Sequence, residues 1–490
     1  MTRSGGRAVG RSLRMLAGFG VLLSVPPSGR LTAQAVDRTK PPVLGPAPTL
    51  RPPTVRPVKL PNGLTLAVIE MHKVPVVDVQ IIIGAGAARD PADLPGLASF
   101  TAAMLDQGAG ARSAFDVADE TAFLGAQYFA GADFDNAVIT LHVPKRQLGP
   151  ALDLLADIVL RPTFADSEVA RQRSLRRSQI LQQRDNPVAM AGVAFPAIVF
   201  GAAHPYGRPL AGTDSSVERL TRDRVAAFYS AYYRPENAKV LVVGDITPEE
   251  ARTMLAARFG AWAGAPVAAP PAATAPAAGP RTIYVIDKPG AAQSVIRIGQ
   301  AGVARSTPDY FVLQVLNTIL GGSFTSRLNQ NLRETHGYTY GASSGFAMRR
   351  LAGPFQAAAS VVTAKTDSAL IEFLKELRRI RDVPVPAEEL EKAKHYIILG
   401  LPGDFETTAG TASRFRDLLA YDVPLSTYQD YVNRIRAVTA ADVQGAARQY
   451  LDPEHFAIVV VGDRVVIEAG LRALNEGPIA YRDMWGHAVP

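Results

Sequence analysis

The sequence predicts an α+β chain of two homologous α/β domains, each a mainly antiparallel or mixed sheet covered by helices. Three observations carry this. Strand-like and helix-like stretches alternate, with hairpin-like strand pairs among them. The chain also repeats itself. Thr221, Val225, Tyr232, Pro235, Glu236, Val242, Val243, Gly244 and Asp245 recur in order as Thr439, Val443, Tyr450, Pro453, Glu454, Val460, Val461, Gly462 and Asp463, always 218 residues on. Between the repeats, residues 263–280 are almost entirely Ala, Pro, Gly and Thr, the composition of a semi-extended linker. The organisation that follows is a leader at 1–35, a Pro-rich lead-in at 36–57, an N-terminal domain at 58–262, the linker at 263–280, a C-terminal domain at 281–476 and a tail at 477–490.

The leader is read from three adjoining features. Arg3, Arg7, Arg11 and Arg14 make a basic start, and Met15 to Val25 is an apolar run too short to span a bilayer. Ala33-Gln34-Ala35 then supplies small residues for cleavage. This predicts a signal peptide and export to the periplasm. With Arg30 the leader holds five basic residues and no acidic one, so five of the net +7 belong to it and +2 remains for the rest. A nucleic-acid partner has little support from that balance. The chain has no cysteine, so disulfides, thiolate metal sites and a lipid-modified N-terminal cysteine are excluded. No later stretch is apolar enough for a membrane anchor.

Along the first repeat, Leu64 to Ile69 and Val76 to Ile83 read as strands, and Gly96 to Leu105 as a buried helix. A helix at Ala114 to Phe123 precedes a strand pair formed by Tyr128-Phe129 and Ala137 to Val143. Two helices follow, Leu148 to Leu160 and the basic Ser167 to Arg184, ended by Asp185-Asn186-Pro187. Ala202 to Gly207 reads as an exposed loop. Thr221 to Tyr233 is a helix feeding the strand Val240 to Asp245, and Pro248 to Phe259 closes the unit. The second repeat opens on the strand Thr282 to Ile286.

Chemistry is sought first on the buried helix. Ser99, Ala102 and Ala103 have the i, i+3, i+4 spacing that shares one helical face. A zinc hydrolase places His, Glu and His at such positions. Here the face carries a hydroxyl and two methyl groups. The seven histidines, at 72, 142, 204, 336, 395, 455 and 487, include no pair three to five residues apart. Gly321-Gly322 reads as a helix cap and turn, since no Gly-Lys-Ser/Thr follows it.

The frame Gly-Leu-Ala-x-Phe-x-x-x-Met-Leu around that helix resembles the metal helix of the pitrilysin/insulinase-type zinc peptidases, the family of the mitochondrial processing peptidases. Ala151 to Asp157 with Pro162-Thr163-Phe164, His204-Pro205-Tyr206-Gly207, and Ser326-Arg327-Leu328 continuing to Tyr340 extend the resemblance from Val58 to Asp463. The resemblance implies half of a clam-shell peptidase. It places the family's His-x-x-Glu-His on Ser99, Ala102 and Ala103, and its later Glu ligand on Gln179, so no metal is expected in this chain. It also implies a homologous partner subunit with the motif intact, carrying zinc, and unfolded peptides as substrates. Arg333 and Tyr340 match the family's Arg/Tyr pair, which reaches across the closed chamber to the substrate carbonyl. By residue type alone, Arg333 reads as a surface ion-pair partner of Glu334 or a neighbour, and Tyr340 as an ordinary strand residue; the flanking frame is what favours a functional pair. Phe129 stands where the family's edge segment has Asn. The expectation is a zinc-free subunit of a heterodimeric metallopeptidase, inactive alone, to which it donates Arg333 and Tyr340. The alternatives are a structural or peptide-binding pseudopeptidase with no hydrolytic role, and a peptidase acting through unconventional ligands.

Overall fold

The computed structural model describes residues 51–270 and 272–490. The expected leader, and the lead-in up to residue 50, lie outside the described residues. No helix among the described residues is long and apolar enough to cross a membrane.

Among the described residues, twelve strands form two six-stranded mixed sheets. The first comprises β1 (Val58–Lys59), β2 (Thr65–Glu70), β3 (Val76–Ile83), β4 (Gln127–Ala132), β5 (Ala137–Pro144) and β6 (Ala238–Gly244), in the order β1-β2-β6-β3-β5-β4. The second comprises β7 (Thr282–Asp287), β8 (Gln293–Ala301), β9 (Thr339–Phe346), β10 (Pro354–Val362), β11 (Ala457–Gly462) and β12 (Ile479–Tyr481), in the order β12-β7-β11-β8-β10-β9. β2 and β6 run parallel, as do β7 and β11, and the inner neighbours β3, β5 and β8, β10 pair antiparallel. The two sheets repeat one another strand for strand, as the 218-residue offset requires. They differ at one margin, where β1 joins antiparallel and β12 joins parallel to β7.

The stretch at 477–490, expected as a tail, is therefore part of the second sheet. Its Met484 is buried against Met190 and Phe195. Three residues of strand are too few to show a period of two, which is why the sequence conceals them.

The central strands bury both faces. Val240 and Val242 of β6 face their own half's core, whereas Leu241 and Val243 join the core of the second half. In β11, Ile458 and Val460 face inward, and Val459 and Val461 pack on Met190, Ala194 and Phe195. The second face is covered by an exchange. Helix Pro187–Phe200 of the first half lies on β8 and β11, and helix Thr408–Ala420 of the second half lies on β3 and β6. The Asp185-Asn186-Pro187 stop is thus also a start. Asn186 Oδ1 accepts from Val188 N (2.9 Å) and Ala189 N (3.2 Å), and Pro187 occupies the first turn, where its missing N–H is not needed. At the far end of the other exchanged helix, Lys239 Nζ of β6 donates to Leu419 O (2.6 Å) and pairs with Asp422. A cation at a helix C-terminus is favourable.

The His204-Pro205-Tyr206-Gly207 segment, expected as an exposed loop, is buried and braces the halves. Tyr206 Oη donates to Asp135 (2.6 Å) and accepts from Leu351 N (3.1 Å), and Asp135 also accepts from Arg350 N (3.0 Å). A Cβ at Gly207 would meet Gly201 O at 2.0 Å, so only glycine fits.

The exchange makes the halves one cooperative unit. Phe195→Ala, which empties the contact between Pro187–Phe200 and the second sheet, should cost about 3–5 kcal/mol and leave a single urea transition. Two separated transitions would show that the halves unfold independently.

Candidate functional site

The residues singled out in the sequence occupy two places. The first is built around helix Leu97–Ala103. Its N-cap is Gly96, which has no side chain to offer the free N–H groups, and buried Asp90 does that work. Its two oxygens accept from Gly96 N (2.8 Å) and Ala98 N (2.7 Å). Burial pushes the Asp90 carboxyl up to about 7, against the pull of those N–H groups and of Arg208. Gly96 has φ +95°, and a Cβ there would lie 2.7 Å from the Gly212 backbone. This close approach seats the 208–212 loop on the helix. Ser99 Oγ reaches Leu210 O at 2.7 Å and accepts from Arg176 Nη1 at 3.0 Å.

Of the three helix positions, only Ser99 reaches the adjoining cavity of about 520 Å³, where Gln179 of helix Asp166–Gln183 also lies. Ala102 is fully buried in the helix packing. The cavity lies between the halves. Its walls include Phe195, Pro196, Leu210 and Pro354, and four guanidinium groups line it: Arg176, Arg208, Arg297 and Arg349. Zinc does not fit these residues. The Ser99 hydroxyl is committed to a carbonyl, the amides of Gln179, Gln183 and Gln356 are neutral, and the surrounding charges repel a dication. Among the described residues, no three of His, Cys, Asp and Glu are grouped to hold a metal.

The second place is the edge of the second sheet. Asn329 clamps the start of β9, donating to Ala342 O (2.8 Å) and accepting from Ala342 N (3.0 Å). Residues Gln330–Thr335 form a π-helical turn, and Gly337 at φ +64° reverses the chain into the strand. The β9–β10 register then slips. Ala342 faces Ala359 but Thr339 faces Val361, so Tyr340 and Gly341 together oppose Ser360. This is a β-bulge, and it turns Tyr340 outward to 89% exposure. The Arg333 guanidinium lies 4.3 Å from the centre of the Phe324 ring, with Nε 3.4 Å from Glu334 Oε1. The ion pair open to Arg333 by residue type is therefore present, alongside a stacking contact that the sequence did not suggest.

Ser99 and Gln179 come together; Arg333 and Tyr340 stand apart from their cavity. At the matching edge of the first sheet, β4 carries exposed Phe129. The sequence reading missed the four arginines. The basic face of the helix at 167–184 was the one signal for Arg176.

Two outcomes follow. Asp90→Ala leaves two buried N–H groups unpaired and should destabilise the chain by about 2–4 kcal/mol, read by urea denaturation. Zinc added to the purified chain should show no stoichiometric binding by elemental analysis after dialysis; one equivalent retained would contradict the donor set described.

The insulinase (peptidase family M16) profile matches residues 65–214, and the peptidase M16 inactive domain profile matches residues 219–397. An uncharacterized zinc protease of Mycobacterium leprae is 27% identical over 82% of this chain and 90% of its own. One from Streptomyces coelicolor is 27% identical over 81% and 87%. The crystal structure of a peptidase M16 inactive domain from Pseudomonas fluorescens superposes with a TM-score of 0.78 at 27% identity, covering 84% of this chain and 98% of that one. A protease from Helicobacter pylori shares the fold, with a TM-score of 0.79 at 21% identity over 84% and 100%. The chain belongs to the insulinase/pitrilysin-type family of peptidases.

Proposed function

We propose that this chain is the zinc-free subunit of a periplasmic two-subunit peptidase that cleaves unfolded peptides. A homologous partner with an intact His-x-x-Glu-His helix would hold the zinc and its activated water. This chain would contribute Arg333 and Tyr340. The observation that carries the reading is the exposed Tyr340 phenol, held outward by a bulge on an edge strand, in a chain whose own metal positions offer no ligands.

The chemistry follows from residue type. Cleavage of a peptide passes through a tetrahedral oxyanion, and a phenol O–H that donates to it lowers the barrier. Arg333 supplies a fixed positive charge and planar donors for a peptide carbonyl. Its stacking on Phe324 limits the side-chain freedom lost on binding. The apolar run and small-residue site in the leader support export.

The test is purification of the chain from its native host, followed by turnover of a fluorogenic unfolded peptide. A motif-bearing partner should co-purify. Tyr340→Phe should lower kcat by about 10²–10³, with KM little changed and assembly intact. Unchanged kcat in an intact complex would remove Tyr340 from the mechanism.

A further inference from the structure

We propose that the arginine-lined cavity beside Ser99 and Gln179 binds a carboxylate carried on an apolar body, and that its ligand is the C-terminal apolar residue of a peptide. Four guanidinium groups line this space, and no Asp or Glu is among its lining residues. Among the described residues, none of the four forms an ion pair. The four are partly buried; the more deeply buried Arg327 and Arg305 are neutralised, Arg327 by both oxygens of Glu389 (2.8 and 2.7 Å) and Arg305 by Asp417 (2.8 Å).

The partners that the four do have leave their charge uncompensated. Arg176 donates to Ser99 Oγ and Ala211 O, Arg297 to Gln356 Oε1, and Arg208 to the carbonyls of Ala202, Ala203 and Asp90. Arg349 stacks on Phe134 and Tyr206. Arg297 Nε and Arg349 Nη1 are buried with no partner at all. The carboxylates acting on Arg349 are Asp135, already engaged by Tyr206 and the Arg350 N–H, and Asp133, engaged by backbone N–H groups. Asp90, near Arg208, is spent on the helix start. Burial alone lowers the Arg176 and Arg297 pKa values, and it is the leading cause for Arg349.

Desolvated cations without counter-charge are costly, and a bound oxyanion relieves that cost. Guanidinium forks match the planar carboxylate, which they can grip bidentately. The apolar walls at Phe195, Pro196, Leu210 and Pro354 select against a bare inorganic anion, and about 520 Å³ is within the range of small-ligand sites. Arg176 and Arg208 come from the first half, Arg297 and Arg349 from the second. A ligand held by all four ties the halves together.

The test uses the full chain alone and measures binding, not turnover, so its failure is separable from failure of the two-subunit reading. Calorimetric titrations compare N-acetyl-Ala₄-Leu with a free carboxylate, the same peptide amidated, octanoate and inorganic phosphate. The free peptide should bind and raise Tm. Amidation should weaken binding about ten- to a hundredfold, as expected for loss of charge-assisted bonds. Arg297→Met and Arg176→Met should each weaken it about tenfold without lowering the Tm of the free chain, and surface Arg252→Met should change nothing. Equal binding of free and amidated peptide, or unaltered binding by both arginine variants, overturns the proposal. Octanoate binding without peptide binding overturns the peptide assignment. Phosphate binding as tight as octanoate overturns the need for an apolar body.

Discussion

Each sheet has two apolar faces, and the half that owns it covers only one. The exchange of Pro187–Phe200 and Thr408–Ala420 solves this, and the rest of the molecule depends on it. Leu241 and Val243 would otherwise face water, as would Val459 and Val461. The exchange also creates the cavity. Phe195 and Pro196 form its wall only because their helix crosses to the second sheet, and that crossing brings Arg297 of β8 within reach of space opened by Ser99 and Gln179. The Tyr206, Asp135 and Leu351 brace lies where the halves meet, and its buried hydrogen bonds fix their relative position.

The two-sheet architecture was legible because it is written twice, at one constant offset, in strands with clear apolar patterns. Helix packing partners were not legible. Residues 187–200 are apolar on every side, which says that the helix is buried but not beneath which sheet. The sequence reading assigned neither exchanged helix, and the domain limits drawn at the linker assume that each half covers itself. His204 to Gly207 misled for a related reason. Its Pro and Gly mark a turn, and turns are mostly exposed, but this one is enclosed by contacts from residues more than 70 positions away.

That Ser99, Ala102 and Ala103 offer no metal ligands could be read from residue type; that only Ser99 meets a cavity could not. Gln179, placed by resemblance, does share a cavity with Ser99. The arginines were not legible because 176, 208, 297 and 349 have no common spacing, and each alone reads as an ordinary solvated charge. The outward aim of Tyr340 also escaped sequence reasoning. Alternation along β9 predicts a facing direction only while the register holds, and the bulge opposite Ser360 breaks it.

The exchange has an evolutionary corollary. An unduplicated ancestor with this half-structure would have had to pair with a second copy, each lending its helix to the other in an isologous, domain-swapped dimer. Joined through the 263–280 segment, the same association is intramolecular and does not depend on concentration. Once symmetry was no longer imposed by a single coding unit, each half could change alone. The halves already differ: four arginines from both line one cavity, and only the second sheet turns a tyrosine outward at its edge through a bulge, an asymmetry that a symmetric dimer of identical chains could not record.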